Sequence, residues 1–247
     1  MRFGGSCRKL AVSEQTEISK KNSNFKEKME KQILDFLKNL AKNNNREWFT
    51  EHKKSFEDAK EQAFSEFTTI YNGLKQNDYL EPMKMYRIYR DVRFSGDKTP
   101  YKTHFAMYAG RLKPDYRGGY YLHIEPGNSF IGIGFWNPEK EDLLRIRKEI
   151  ELDGELEDIL NAKDIKTTFG DLMTGDEVKT APKGFDKNHE RITLIKKKQF
   201  LLMHKLKDEE VLSKDFPQKA VKVFQKSRPF VDYMTDVLLT NLNGEQV

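Results

Sequence analysis

Between Lys84 and Arg117 the chain carries nine basic residues: Lys84, Arg87, Arg90, Arg93, Lys98, Lys102, Arg111, Lys113 and Arg117. Only Asp91, Asp97 and Asp115 oppose them. Arg presents a planar fork of N–H donors that matches a carboxylate or a phosphate. On a strand, Arg87, Tyr89, Asp91 and Arg93 share one face, and Ile88, Arg90, Val92 and Phe94 share the other. Charge on both faces is unusual for a half-buried strand. Asp91 can hold one edge of an Arg fork and leave the other edge to a ligand. The loop Ser95-Gly96-Asp97-Lys98-Thr99-Pro100-Tyr101-Lys102 adds two ammonium groups and a run of backbone N–H donors suited to an anion. It lacks the glycine spacing of a P-loop. The same charges would also serve a salt-bridge ladder with no ligand at all.

A second group of chemistry-bearing residues follows. Tyr121, His123 and Glu125 alternate along one strand face, and His104 sits beside a neighbouring strand. His123 and Glu125 have the types of a general acid–base pair. No metal is expected here. The alternative is a divalent ion on His104, His123 and Glu125, for which the spacing is not specific by itself. Pro182-Lys183-Gly184-Phe185 with His189 reads as an exposed turn, and Lys196-Lys197-Lys198 as a solvated charge run. No Gly-x-Ser-x-Gly, His-Glu-x-x-His or dinucleotide fingerprint occurs.

The string Arg87-x-x-Arg90-Asp91-x-Arg93-Phe94-x-x-Asp97-Lys98-x-x-Tyr101 resembles the signature of an uncharacterised, mainly bacterial domain family that also occurs in some fungi. The likeness extends to Asn43-Asn44-Asn45-Arg46-Glu47-Trp48-Phe49, to Gly119 through Gly127, and to Pro182 through Phe185. It spans roughly Lys31 to Leu242. The resemblance implies a shared domain, mainly from soluble proteins, and leaves the activity open.

These residues need a scaffold. From Lys31, Ile33, Leu34, Phe36, Leu37 and Leu40 make one apolar helical stripe. Asn44, three residues before Glu47, has the spacing of a cap for a long second helix that carries Trp48, Phe49, Phe56, Phe67 and Leu74. This helix–turn–helix reads as packing, with Trp48 and Phe49 as core anchors. Between about residues 83 and 136 the period becomes two, predicting strands at Met83–Phe94, Phe105–Arg111, Gly119–Glu125 and Ser129–Trp136. Gly132 and Gly134 on the last strand suggest close approach by a backbone or a ligand. Asn137 is read as the cap of a helix entered through Pro138. A short helix near Glu155–Asn161 is expected next, then strands at Ile165–Phe169, Glu177–Lys179 and 198–204. A helix from Phe216 to about Leu242, bent at Pro229, closes the chain. The fold class is α+β, a single domain with an antiparallel sheet packed by N-terminal and C-terminal helices.

Composition limits the alternatives. The 247 residues have a formal charge of +5, a pI near 9.0 and a mean hydropathy of −0.80. Seven Lys or Arg against three Glu within residues 1–28 account for most of that excess. This segment is read as a disordered basic leader, with the domain running over 29–247. The single Cys, Cys7, excludes an internal disulfide and a cysteine-rich zinc or iron–sulfur site. No apolar run reaches the roughly 18 residues of a membrane span. A cytoplasmic setting is expected.

The leading expectation is a pocket for an anionic small molecule, bearing phosphate or carboxylate. Arg87, Arg90, Asp91, Arg93, Asp97, Lys98, Tyr101, Lys102 and Tyr121 form its ligand-binding set, and His123 and Glu125 are the candidates for moving protons. No cofactor is assigned. One alternative is a nucleic-acid module in which interleaved Tyr and basic residues track phosphates and stack bases. Another is an interaction or scaffold domain whose Arg residues are all internally paired.

Overall fold

The computed structural model describes residues 32–93, 95–240 and 245. The basic segment 1–28, Cys7 and Phe94 lie outside the described residues. The first helix, α1 (32–42), buries the expected stripe: Ile33, Leu34, Phe36, Leu37 and Leu40 are all in the core. The Phe36 ring contacts Trp48, Phe49, Phe56 and Phe105, so the aromatic residues of this helix–turn–helix are packing residues.

The second helix is broken where one continuous helix is expected. α2 (Arg46–Glu51) ends at His52, whose ring stacks on Trp48 and whose Nδ1 bonds to the Trp48 carbonyl. α3 (Lys53–Lys75) then buries Phe56, Ala59, Ala63, Phe67, Ile70 and Leu74. The α2 cap is Asn45, which accepts from the Trp48 N–H at 2.8 Å. Asn44 is committed elsewhere, donating to the Tyr101 carbonyl at 2.9 Å and accepting from the Tyr101 N–H at 3.1 Å. These two bonds tie the helical layer to the basic loop.

Five antiparallel strands follow in sequence order: β1 (Lys84–Met85), β2 (Phe105–Gly110), β3 (Gly119–Ile124), β4 (Ser129–Phe135) and β5 (Phe200–Leu206). The pleat divides their side chains. Phe105, Met107, Tyr120, Leu122, Ile124, Ile131, Ile133, Phe200 and Leu202 face the helices and are buried. The other face carries Lys84, Tyr108, Tyr121, His123, Phe130, Gly132 and Lys205.

Further sequence expectations are corrected. The run Met83–Phe94 is not a full strand: only Lys84 and Met85 pair with β2. The chain then folds back on itself, with Arg90 N–H to the Pro100 carbonyl and Lys102 N–H to the Ile88 carbonyl. Self-pairing of this loop explains how charge is tolerated on both sides of it. Ile165–Phe169 lies in a helix, because Ile165 and Phe169, four apart, are both buried on one helical face. Glu177 makes one isolated bridge to Lys197 where a strand is expected. Asn137 has φ +48, and the helix after it is preceded by Glu139.

The remaining helices are α4 (Lys140–Leu152), α5 (Glu155–Asn161), α6 (Lys163–Phe169), α7 (Ile192–Ile195), α8 (Asp208–Val211), α9 (Phe216–Lys226) and α10 (Arg228–Leu239). The expected bend at Pro229 is a full break at Ser227, with Pro229 in the first turn of α10, where a missing N–H is harmless. Phe224 of α9 and Phe230 of α10 pack edge-on to Tyr120 and Phe135, closing the core over the sheet. Gly134, at φ +130, lets the Phe200 backbone approach so closely that an added Cβ would lie 2.2 Å from its carbonyl oxygen. An added Cβ at Gly132 would meet nothing nearer than 3.7 Å. No described helix is long and apolar enough to cross a membrane.

Candidate functional site

The β2–β3 register assembles the polar cluster. Phe105 pairs with Ile124 and Ala106 with His123, so His104 lies one step on, opposite Glu125. Opposite residues of an antiparallel pair share a face. The small Ala106 leaves room for the His104 ring to lie against His123, with centroids 4.1 Å apart. Phe130 stacks on His123 from the β4 side at 4.7 Å. His123 is buried, while His104 and Glu125 are half-buried.

Each polar group of this cluster is held in place, apart from the His104 ring. His123 Nε2 lies 3.2 Å from Glu125 Oε2, and its Nδ1 lies 3.1 Å from the Tyr121 hydroxyl. Thr103 Oγ1 donates to Glu125 Oε1 at 2.6 Å, and Asn128 Nδ2 donates to Oε2 at 2.8 Å. The Ser129 hydroxyl accepts from the Glu125 N–H. Burial, followed by the charge of His123, pushes the His104 ring down to about 4. Burial also lowers His123, against the upward pull of Glu125. Burial pushes Glu125 upward, yet hydrogen bonds from Thr103, Asn128 and His123 outweigh it and hold the carboxyl below its ordinary value. The Tyr121 hydroxyl is pushed up to about 12, chiefly by burial. At neutral pH the cluster is therefore two neutral imidazoles, a phenol and a carboxylate.

Eight of the nine basic residues separate into three groups, and Lys113 is exposed in the turn after β2. Arg111 is fully buried and structural. Its guanidinium donates to Asp78, the Val231 carbonyl, Thr235 and Asp232, while Tyr120 also donates to Asp78. Arg117 pairs with Asp142. The second group is paired within the loop. Arg93 makes two bonds to Asp91, Arg90 bonds to Asp97 and Thr99, and Lys98 donates to the Val92 carbonyl. Asp91 and Asp97 are held below their ordinary values, Asp91 chiefly by Arg93 and Asp97 chiefly by the Thr99 N–H and hydroxyl.

The third group has no carboxylate partner among the described residues. Lys84 and Lys102 stand over the same Tyr86 ring, at 5.4 and 5.5 Å from its centroid. Arg87 is exposed beside them. Burial, then repulsion by Arg87 and Arg90, lowers the Lys102 ammonium. The Tyr86 ring meets Tyr121 edge-on at 6.2 Å, and the Lys102 and Arg90 charges are felt at His104. The unpaired cations and the His–Glu cluster thus occupy one continuous stretch of the open sheet face.

Tyr101 is placed differently from its expected neighbours. It is buried, with its ring stacked on Phe49 at 3.9 Å. Lys84, Tyr86, Thr103 and Asn128 were not in the expected site. The period-two facing of Lys84, Tyr86 and Tyr108 was the available signal for the first two. Two surface depressions, one lined by Gln62, Ser65 and Lys214 and one by Asn77, Tyr79 and Leu112, contain none of these residues.

Residues 32–233 match the family described as conserved hypothetical protein (DUF2461). The chain belongs to this family. The match covers both the cationic group and the His–Glu cluster, so the whole candidate site lies in the DUF2461 region. No curated protein and no solved structure matches the chain.

Proposed function

We propose that the chain binds an anionic small molecule, bearing phosphate or carboxylate, on the open sheet face beside His104, His123 and Glu125. The observation that carries this reading is the placement of Lys84 and Lys102 on one tyrosine ring, next to Arg87, with no direct ion pair to a carboxylate among the described residues, although the charge of Arg87 is felt at Asp91. Clustered like charges are unfavourable unless something of opposite sign completes them. A phosphate or carboxylate is that complement. Arg90, Arg93 and Lys98 are engaged within the loop and act in this reading by shaping it, with Asp91 and Asp97 as their partners. Tyr121 forms part of the wall. His123 and Glu125, hydrogen-bonded to each other, are the groups that would move a proton if the bound anion reacts. A cytoplasmic setting suits a chain with one Cys in 247 residues.

Thermal-shift titration with inorganic phosphate, citrate and a single-stranded oligonucleotide tests the reading. Phosphate or citrate is expected to raise the Tm in a saturable way. Lys102→Met is expected to weaken that binding about 10–100-fold, the worth of one charge-assisted bond of roughly 1.5–3 kcal/mol. Binding of the oligonucleotide alone, steeply salt-dependent, would replace this reading with a nucleic-acid one.

A further inference from the structure

We propose that His104, His123 and Glu125 bind one divalent transition-metal ion, of which zinc is the model, with its open coordination positions turned toward Lys102. One ligand atom from each residue lies within 4.8 Å of the other two. An ion about 2.0–2.2 Å from each donor would draw them to about 3–3.5 Å, a side-chain adjustment of roughly 1–2 Å at most. The donor set selects the ion. Two imidazoles and one carboxylate suit zinc, cobalt or ferrous iron, whereas calcium and magnesium need more oxygen ligands. Three protein ligands also leave positions free for an exogenous group, the pattern of reactive rather than structural sites.

Two observations separate this from an ordinary hydrogen-bonded histidine pair. The half-buried His104 ring has no hydrogen-bond partner among the described residues; its packing contact is the His123 face. Its nitrogens are thus open to water or to a ligand, and a metal ion can reach them without breaking a protein hydrogen bond. The other two residues, moreover, already have outer-shell partners. Thr103 and Asn128 hold the carboxylate, and the Tyr121 hydroxyl addresses His123 Nδ1. Such partners fix the orientation of metal ligands. Without metal, the His123 Nε2–H donates to Glu125 and Nδ1 accepts from Tyr121. With metal on Nε2, the single ring proton moves to Nδ1 and donates to the Tyr121 oxygen, so the ring stays neutral.

The triad stands on its own geometry. The direction of its open positions rests on the anion reading above. A divalent ion on one carboxylate and two neutral rings leaves an excess positive charge beside Lys102, so an anion is the natural further ligand. Metal and anion must then tighten each other by the same factor, since coupling between two sites is reciprocal.

The test uses the full chain without an affinity tag, stripped of metal and titrated with Co(II) by visible absorption, and with Zn(II) by calorimetry. One equivalent is expected to bind, with spectra of a nitrogen–oxygen site. His104→Ala and Glu125→Gln are each expected to weaken binding by about 100-fold, at least as much as losing an outer-shell partner. Both should leave the metal-free Tm close to wild type, because both side chains are only half-buried. Inorganic phosphate is expected to tighten Co(II) binding roughly fivefold or more. Absence of stoichiometric binding, or its full retention in His104→Ala, overturns the triad even if phosphate binds. Metal binding that phosphate leaves unchanged keeps the triad and removes its orientation toward the anion.

Discussion

Replacing Arg111 with Met separates the structural part of the basic segment from the functional part. The guanidinium is fully buried and makes hydrogen bonds to Asp78, Val231, Thr235 and Asp232, joining the end of β2 to α10. Met replaces the aliphatic stem of the side chain but not the guanidinium, and leaves Asp78, also buried, without its closest cation. Breaking a buried ion pair by removing one partner costs about 3–5 kcal/mol. Arg228 still stands 3.2 Å from Asp78, and Tyr120 and the Tyr79 N–H still donate to it, which places the loss near the lower end, about 3 kcal/mol. For a chain of this size each kcal/mol moves the Tm by roughly 2–4 °C, so a fall of about 6–12 °C is expected. Urea unfolding followed by circular dichroism measures it, with the slope m unchanged. Adding Asp78→Asn removes the orphaned charge and is expected to recover about 1–2 kcal/mol. A loss below about 1 kcal/mol for Arg111→Met, or a double variant no more stable than the single one, would refute the reasoning. Phosphate binding by Arg111→Met well below its Tm should match wild type.

Three further outcomes are expected. Lys102→Met should raise the Tm of the ligand-free protein by about 1–4 °C, as removal of an unpaired cation from a binding site commonly does, while weakening anion binding; a fall in both would make Lys102 structural. Gly134→Ala should destabilise by about 2–6 kcal/mol, from strain at φ +130 together with overlap on the Phe200 carbonyl, whereas Gly132→Ala should fold normally; equal effects by thermal melting would contradict the β4–β5 geometry. Asn44→Ala removes two bonds to the Tyr101 backbone and should cost about 1–3 kcal/mol, with faster amide exchange at Tyr101; unchanged exchange there would show that Asn44 does not hold the loop.

The legible parts of this fold are those where local pattern and tertiary environment agree. Most of the large apolar residues between Phe105 and Phe135 fall on the sheet face that meets the helices, burial alternates fully along β4, and three of the expected strands fall within one residue of β2, β3 and β4. The α1 stripe is buried as its spacing requires. The misread segments had a pattern with two solutions. Met83 through Phe94 alternates like a strand, yet beyond Met85 the chain pairs with the following loop, through the Arg90–Pro100 and Lys102–Ile88 bonds and the Asn44 anchor. Ile165 and Phe169 are β-formers by type, but their spacing of four is helical, and burial decided the matter.

The candidate site was half legible. His123 and Glu125 share a strand face by parity alone. Their meeting with His104 depends on the β2–β3 register, set by the 111–118 connection, which no periodicity specifies. Net charge could not sort the Arg residues either. Arg111 serves the core, Arg93 is paired with Asp91, and Arg87 is left facing the site, a division that arises only from which carboxylates the fold brings near.

Backbone amide NMR during titration with inorganic phosphate tests the location of anion binding most directly. Saturable shifts are predicted to centre on Tyr86, Arg87, Lys102, His104 and Tyr121, and to be lost in Lys102→Met. Shifts centred instead on Lys196–Lys198, where Lys197 is buried against Glu177 and only Lys198 is exposed, or around Arg111, or none at all at millimolar phosphate, would contradict an anion site on the open face of the sheet.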